Sequence, residues 1–150
     1  MSTLMRLAIR LIVPRHRVGV NAVPIDKQGR VLLLNHVFHP HIPWGLPGGW
    51  LNAHESPATG ALRELLEETG LHATLGPAIY TNHEGPHPHV AIAYYVTPHP
   101  GTITLSNEII EARWFYPHEL PTPLHTSTTK IIKAALAYHQ KNKQSVEVIP

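Results

Sequence analysis

Short apolar runs separated by turn-forming residues dominate the first third of the chain, and this pattern predicts β-strands. Two such runs cover residues 18–25 and 31–37, and the Asp-Lys-Gln-Gly segment between them is typical of a hairpin-type turn. The second run begins with four consecutive aliphatic residues, which predicts a strand buried on both faces. Residues 39–49, by contrast, are rich in Pro and Gly and predict a loop.

Two later segments have the periodicity of helices. Residues 57–69 follow Ser56, a favourable N-cap, and start with Pro57, which is well tolerated at the first helical position. Gly70 supplies the stop signal directly after them. Residues 127–143 predict a second, amphipathic helix, because their apolar side chains recur along one stripe.

The remaining apolar segments predict the rest of the fold. Residues 78–80, 90–96 and 112–115 have the composition of strands, and residues 83–89 predict a loop between the first two. Strands and helices are mixed without strict alternation, which predicts an α/β (α+β) fold with a mixed sheet packed against helices. No internal repeat or low-complexity linker interrupts the chain, so residues 1–150 are predicted to form a single domain.

The composition is that of a folded domain with few charges. Of the 150 residues, 43% are hydrophobic and 15% are charged, and the formal net charge is +2. These values exclude a disordered chain and argue against a dedicated nucleic-acid binder, which would carry runs of Lys and Arg. Cysteine is absent, which excludes disulfides and thiolate chemistry and fits a reducing, cytoplasmic location. No apolar run is long enough to predict a membrane span.

The beginning of the chain is basic. The first 25 residues contain no acid and four arginines, which are Arg6, Arg10, Arg15 and Arg17. An edge strand or a short helix that opens the domain accounts for this segment, because Arg10 interrupts the apolar run and no cleavage-like site follows. The alternative is an organelle-targeting segment, which has a similar composition.

The acids, in contrast, are concentrated on the helix predicted at residues 57–69. At about 100° per residue, Glu64, Glu67 and Glu68 fall within one arc. The opposite side is apolar and is predicted to dock on the core; it consists of Ala58, Leu62, Leu65 and Leu66. Like charges at this spacing repel each other, and a bound divalent cation would reverse the sign of that interaction. Oxygen ligands of this kind suit Mg²⁺ or Mn²⁺, whereas the alternative is a solvated acidic face.

The segment around this helix resembles the signature of a known family. Residues 49–71 read GWLNAHESPATGALRELLEETGL and place the defining residues at fixed spacings; these are Gly49, Glu55, Arg63-Glu64-Leu65, Glu67-Glu68 and Gly70-Leu71. This pattern is similar to the Nudix box, and the flanking segments 46–48, 111–115 and 119–121 also resemble the family. The implied fold is an α/β/α sandwich with a mixed sheet, a catalytic helix at about 57–69 and a C-terminal helix at about 127–143.

The resemblance implies hydrolysis of a pyrophosphate linkage in a nucleoside diphosphate joined to another moiety. Examples of such substrates are nucleoside triphosphates, ADP-ribose and nucleotide sugars. The residues that match the family's metal ligands, for Mg²⁺ or Mn²⁺, are Glu64, Glu67, Glu68 and the carbonyl of Gly49. Glu55 matches an outer-shell acid, and Arg63 matches the residue that orients the box glutamates. Gly48 and Gly49 permit close approach of the backbone to cation and phosphates.

The general base and the substrate contacts are predicted on weaker patterns. Family members take the base either from the box or from an acid on a later loop; Glu108 is preferred here over Glu84 and Glu111. Aromatic side chains that could stack on a nucleobase are Phe38, Trp44, Trp50 and Tyr80, with Trp44 and Tyr80 taken as substrate contacts. Ordinary packing is the alternative for each of them. Histidines that could contact phosphate, or simply occupy exposed loops, are His36, His39, His41, His83, His87 and His89.

Two other functions fit the same resemblance. A nucleotide-sensing module would bind the ligand without turnover, and an RNA 5′-end pyrophosphohydrolase would act on a larger partner. The basic residues that could hold RNA are the N-terminal arginines with Lys130, Lys133, Lys141 and Lys143. The expected partner is a small nucleotide-type substrate, with neither a membrane nor dedicated nucleic-acid binding. A homodimer is compatible with the resemblance, because Nudix proteins often dimerise.

Overall fold

The computed structural model describes residues 15–85 and 89–147, together with Met5, Ile12 and Val13. Arg6, Arg10 and His87 therefore lie outside the described residues. Within the described part, the elements in chain order are β1 (Arg17–Pro24), β2 (Val31–His36), β3 (Trp44–Gly45), β4 (Gly48–Trp50), α1 (Pro57–Thr69), β5 (Ala73–Glu84), β6 (His89–Pro98), β7 (Ile109–Phe115) and α2 (Thr126–Glu147).

The strands form two sheets, and this mixed α and β architecture confirms the predicted fold class. One sheet has the order β4-β1-β6-β5, in which β1 and β6 are parallel and the other pairs are antiparallel. The other sheet has the order β3-β2-β7 and is antiparallel. A turn does connect β1 to β2, with Gly29 at φ +80°. The hairpin-type turn predicted here is present, and an antiparallel bridge joins Ile25 to Val31 across it, but the two strands then diverge into different sheets.

The aliphatic run at the start of β2 is buried on both faces, as predicted. Leu32 and Leu34 pack in the cluster that includes Ala61 and Leu65 of α1. Their neighbours in β2 pack in the other cluster, which contains the apolar stripe of α2; the members of that stripe are Ile131, Ile132 and Ala135. The strands therefore lie between the two helices, and the core occupies both sides of β2.

Helix α1 begins and ends where its capping residues predict. The Ser56 side chain accepts a hydrogen bond from the backbone N–H of Thr59 at 3.1 Å, which satisfies one free donor of the first turn. Gly70 adopts φ +70°, and its N–H donates to the carbonyl of Leu66 at 2.8 Å. These contacts are local in sequence, so both ends can be read from residues 56–70 alone.

The face with which α1 docks differs from the prediction. Leu66, predicted to face the core, is 40% exposed, whereas Glu68 is only 7% exposed. The buried residues of the helix are Gly60, Ala61, Leu65, Glu68 and Thr69. The helix is thus rotated so that one edge of its acidic face turns toward the sheet instead of toward solvent. This rotation brings a carboxylate into the interior of the fold.

Three predicted boundaries are also corrected. Residues 39–49 are not wholly loop, because β3 and β4 form within and beyond them and pair with β2 and β1. Residues 83–84 and 89 extend strands β5 and β6 into the predicted loop. Helix α2 continues to Glu147, four residues beyond its predicted end at residue 143. None of the helices in the described ranges is long and apolar enough to cross a membrane.

Candidate active site

The acidic face of α1 lies against the short strand β4. Gly49 is so close to Glu64 that a β-carbon at this position would lie 2.5 Å from the Glu64 Oε1 atom. The N–H of Gly48 donates a hydrogen bond of 2.9 Å to Glu68 Oε2. A β-carbon on Gly48 would overlap the Val20 carbonyl. Both glycines are therefore required for this approach, and the structure brings them together with the box glutamates.

Arg63 connects most of the acids around this strand. Its Nε and Nη2 atoms donate to the two oxygens of Glu55 at 2.8 and 3.0 Å. Its Nη1 atom donates to Glu64 Oε1 at 2.8 Å and to Glu67 Oε2 at 3.0 Å. Nη2 also donates to the Trp50 carbonyl at 3.2 Å. A planar guanidinium can make all of these bonds at once, which an ammonium group cannot.

The protonation of Arg63 and Glu55 follows from this pairing. The hydrogen bond from Arg63, followed by that from the Asn52 N–H, holds the pKa of Glu55 below its usual value. The pKa of Arg63 is raised, chiefly by its hydrogen bond to Glu55. Glu55 and Arg63 therefore stay fully charged near neutral pH, and together they form a fixed support for Glu64 and Glu67.

Glu68 is in a different environment. Burial raises its pKa to about 8, the Gly48 N–H opposes this rise, and the charges of Glu64, Glu108 and Glu67 add to it. Three neighbouring carboxylates therefore disfavour the ionised form of Glu68. A bound cation would favour its ionised form, because an opposite charge at short range lowers the pKa of an acid.

The raised pKa of Glu68 predicts a pH-dependent stability of the metal-free protein. A glutamate in the unfolded chain has its ordinary pKa of 4.5, whereas the pKa of Glu68 in the folded protein is about 8, so the folded state binds the extra proton between these values. The free energy of unfolding should therefore fall as pH rises from about 5 to 8, by up to ~1.4 kcal/mol per pH unit. Denaturant unfolding in the presence of a chelator measures this slope.

Glu68→Gln is the matched control for that slope. Its amide does not titrate, whereas His36, whose pKa is lowered by burial and then by His39, titrates in both proteins. The difference in unfolding free energy between wild type and variant therefore isolates Glu68. A difference that stays constant from about pH 5 to pH 8 would contradict the assigned environment.

Of the three later acids, the structure places only Glu108 beside Glu68. The loop that carries Glu108 is fixed by two backbone hydrogen bonds: Ser106 N–H to the Glu68 carbonyl at 3.2 Å and Val37 N–H to the Glu108 carbonyl at 3.0 Å. Glu111 lies in β7 as an exposed residue opposite Asn35. Glu84 lies in β5, where it accepts a hydrogen bond from the Tyr80 hydroxyl at 2.5 Å.

The residues of the site fit a divalent cation in their chemistry. Their donors are carboxylate oxygens and one backbone carbonyl, and such oxygens are the ligands preferred by Mg²⁺ and Mn²⁺. Among the described residues, no three side chains of His, Asp or Glu form a group arranged to hold a metal ion. Arg63 engages one oxygen each of Glu64 and Glu67, and the Gly48 N–H engages one oxygen of Glu68.

A cavity of about 520 Å³ opens next to Glu68. Trp44, Gly48 and Phe38 line it; Tyr80, which was also predicted as a substrate contact, does not line it and instead packs on the core. Four histidines complete the wall, namely His36, His39, His41 and His125. His36 Nδ1 is 3.9 Å from Glu68 Oε1. His125, just before α2, was not predicted, because nothing local in the sequence indicates that α2 begins beside the box.

Comparison with known proteins assigns this fold to a family. The NUDIX domain profile matches residues 15–135. A MutT-like protein of Streptomyces ambofaciens is 31% identical over 107 residues, which are 71% of this chain and 68% of that protein. Two other curated relatives are longer, and the chain spans 58% and 39% of their lengths. The matched region contains both helices' docking faces and the carboxylate cluster, so the structural unit is a NUDIX domain.

Solved structures agree with this fold. A NUDIX hydrolase from Nitrosomonas europaea has a TM-score of 0.77 at 20% identity, with coverage of 86% of this chain and 74% of that chain. The NUDIX domain of Shewanella oneidensis NrtR, complexed with ADP ribose, has a TM-score of 0.76 at 21% identity and covers 93% and 99%. The chain belongs to the Nudix hydrolase family. This family acts on nucleoside diphosphates linked to another moiety, and its members generally use divalent metal ions.

Proposed function

We propose that this chain is a Mg²⁺-dependent pyrophosphohydrolase that cleaves a phosphoanhydride bond of a nucleoside diphosphate derivative. The observation that supports this most strongly is the packing of the acidic face of α1 on β4: Glu64 lies against Gly49, and the buried Glu68 accepts a hydrogen bond from the Gly48 N–H. Arg63 holds Glu67 beside Glu64. Burial of an unpaired carboxylate is unfavourable unless a cation or a proton neutralises it. Because Glu68 is buried, cation binding explains the acidic face of α1 better than the alternative of a face exposed to solvent.

The proposed ligands of the cation are Glu64, Glu67, Glu68 and the carbonyl of Gly49. When bound, Mg²⁺ would neutralise phosphate oxygens and lower the pKa of a bound water. Arg63 and Glu55 position Glu64 and Glu67 through the hydrogen bonds described above. Mn²⁺ is expected to substitute, because it accepts the same oxygen ligands.

Glu108 is proposed as the general base. Hydrolysis adds water to one phosphorus atom, breaks the bridging P–O bond and releases a proton that a nearby carboxylate can take. The charge of Glu108 contributes to the raised pKa of Glu68, so the two carboxylates are close. Its loop is attached to the end of α1 by the hydrogen bond from the Ser106 N–H to the Glu68 carbonyl.

The cavity beside Gly48 is proposed to hold the nucleoside. Trp44 is held by an edge-to-face contact with Phe115, with the ring centroids 5.0 Å apart, and this fixes one wall for a base. The described residues that line the cavity contribute imidazole and amide groups but no carboxylate.

The proposal also includes a cytoplasmic location and residues 1–150 as one domain. A homodimer stays a prediction.

A substrate panel tests the proposed function. The purified chain is incubated with Mg²⁺ and, separately, with nucleoside triphosphates, ADP-ribose, nucleotide sugars, dinucleoside polyphosphates and triphosphorylated RNA, and the phosphate products are resolved by chromatography. Cleavage of at least one phosphoanhydride, lost on adding a chelator, is expected. Binding of a nucleotide without cleavage anywhere in the panel would instead identify a sensing module. Preferred cleavage of RNA with a steep salt dependence would identify an RNA 5′-end enzyme.

A further inference from the structure

One wall of the cavity beside Gly48 is the hairpin loop that connects β2 to β3. We call residues 37–42 the cavity loop. Its base is closed by the hydrogen bond from the His36 N–H to the Pro43 carbonyl at 2.9 Å. Five consecutive residues of this loop, 38–42, line the cavity. A nucleoside held in the cavity would therefore lie against the loop.

The cavity loop exposes several apolar side chains. Phe38 is 71% exposed, and Val37 and Ile42 are exposed as well. Apolar side chains that cluster at a surface mark places where a ligand or a partner binds. Because Phe38 lines the cavity, a nucleobase that enters the cavity can pack on its ring. The loop therefore gains apolar burial when the cavity is filled.

The first residue of the cavity loop is bonded to Glu108, the proposed general base. The Val37 N–H donates to the Glu108 carbonyl at 3.0 Å, immediately beyond the last paired residues of β2 and β7. Phe38 follows Val37 directly along the chain. A shift of Phe38 toward a bound base would therefore reach the backbone of Glu108 through one residue and one hydrogen bond.

A β-bulge sets this alignment. The pairing of β2 with β7 shifts by one residue between Asn35 and His36. Bulges are frequent next to active sites, where they re-aim a side chain or end the pairing of two strands. With regular pairing Val37 would face Ile109, whereas the shifted register brings it to Glu108. The irregularity thus joins the cavity loop to this particular acid.

Ser106 connects Glu108 to the other part of the site. The Ser106 N–H donates to the Glu68 carbonyl at 3.2 Å, and the Ser106 carbonyl accepts from the Ile109 N–H at 3.2 Å. Glu108 therefore lies between one support on the acidic helix and another on the cavity loop. The second support is the one whose burial depends on whether the cavity is filled.

We propose that the cavity loop couples occupation of the cavity to the position of Glu108. A bound nucleoside packs on Phe38, and the hydrogen bond between Val37 and Glu108 then holds the Glu108 carboxylate in its reactive position. This inference rests on the proposed function. Phe38 and Val37 are positioning residues, so part of the binding energy of the nucleoside appears in kcat instead of KM.

Steady-state kinetics of Phe38→Ala on the best substrate of the panel tests the coupling. Loss of a stacked ring should lower kcat/KM by about 5- to 150-fold. If Phe38 only bound the base, KM would rise and kcat would not change, because the ground state and the transition state would lose the contact equally. The coupling predicts instead that kcat itself falls by about fivefold or more.

Val37→Pro interrupts the same connection at its hydrogen bond. Proline has no N–H to donate, whereas Phe38 stays in place. This variant should lower kcat to a similar extent with a smaller change of KM. The double variant should lose little more than either single variant, since both act on one connection. Thermal unfolding checks that each variant is folded, and Phe38→Ala decides the matter alone if Val37→Pro is not.

Ile110→Ala is the matched control. Ile110 is also an exposed apolar residue and lies two positions from Glu108, but it does not line the cavity. Its truncation removes a similar apolar surface next to the same loop without removing a contact to the nucleoside. Both kcat and KM should therefore stay at their wild-type values.

Amide hydrogen exchange gives a readout that does not depend on turnover. AMP, GMP, CMP and UMP carry a nucleoside but no phosphoanhydride, so the tightest binder among them is used as the probe, with Mg²⁺. It should slow exchange in residues 106–109 as well as in the cavity loop. In Phe38→Ala saturated with the same nucleotide, the slowing in residues 106–109 should be lost, whereas Ile110→Ala should keep it.

The outcomes separate this inference from the function on which it rests. A rise of KM alone in Phe38→Ala, or unchanged exchange in residues 106–109 of wild type, overturns the inference and leaves the proposed function intact. Failure of all four monophosphates to bind overturns it too. Faster exchange of residues 106–109 in ligand-free Phe38→Ala assigns Phe38 a structural role and also overturns it. If wild type cleaves no phosphoanhydride although a monophosphate protects both segments, the proposed function fails and the coupling stands.

Discussion

Replacing Glu68 with Gln is expected to lower kcat by about a thousandfold or more while the protein stays folded. Two effects combine: the amide carries no charge for a cation, and of the three proposed carboxylate ligands only Glu64 and Glu67 are left. Each such contribution is worth about a hundredfold to ten-thousandfold in comparable sites. Steady-state kinetics on the best substrate of the panel gives the change in kcat.

The same variant should not lose stability. Gln is nearly isosteric with Glu, its side-chain oxygen can still accept the hydrogen bond from Gly48, and it removes the unfavourable burial of a charge. The matched control is Glu111→Gln, which neutralises an exposed acid of β7 and should retain nearly full activity. If Glu68→Gln kept more than a tenth of wild-type turnover, Glu68 would have no central role in the reaction.

Gly49→Ala is expected to produce the second largest loss, about a hundredfold or more in kcat/KM. The added methyl would lie 2.5 to 2.8 Å from the carboxylate atoms of Glu64, so either Glu64 or strand β4 must move. Misplacement of a reacting group by about 1 Å can cost a hundredfold in rate. Because Glu64 is also held by Arg63, its displacement should disturb Glu67 as well.

Gly101→Ala separates this local effect from the general cost of replacing a glycine. A β-carbon at Gly101 would meet only Leu71 Cδ2 at 3.5 Å, which is ordinary van der Waals contact. Circular dichroism and thermal unfolding should show both variants folded, with activity lost only in Gly49→Ala. Equal activity of the two variants would mean that the close approach of Gly49 and Glu64 does not matter for the reaction.

The parts of the fold that are local in sequence could be predicted, and those that depend on distant partners could not. Helix α1 has its cap residues Ser56 and Gly70 within its own segment, so its ends follow from the sequence. Strand β4 is rich in glycine and forms because its backbone pairs with β1, about 30 residues away. No local pattern in residues 48–50 indicates that pairing.

The burial of Glu68 shows a similar limit. Periodicity places the three glutamates on one face of α1, but it does not determine how the helix is rotated against the sheet. The rotation follows from the packing of Ala61 and Leu65 on β1 and β2, and it leaves Leu66 in solvent. The spacing of the box residues identified the acids, whereas only the folded chain distinguishes the buried one from the others.

The contact between Arg17 and Trp50 could not be predicted from the sequence for the same reason. Arg17 and Trp50 are about 30 residues apart, and their pairing results from the register of β1 and β4. Glu108 was one of three possible bases in the sequence, and the loop before β7 brings it alone to Glu68. The overall net charge of +2 likewise gives no indication of this site, where five of the ten acids lie together.

The most direct test of the central claim is the ³¹P NMR spectrum of each substrate of the panel incubated with the wild-type protein and Mg²⁺. The account predicts that, for at least one substrate, the signals of the cleaved phosphoanhydride disappear and those of the two phosphate products appear in equal amounts; for ADP-ribose these are AMP and ribose 5-phosphate. A chelator should stop the conversion, and Glu68→Gln should slow it by about a thousandfold. Intact diphosphate throughout the panel with Mg²⁺ and with Mn²⁺, or cleavage that neither change affects, would contradict the claim.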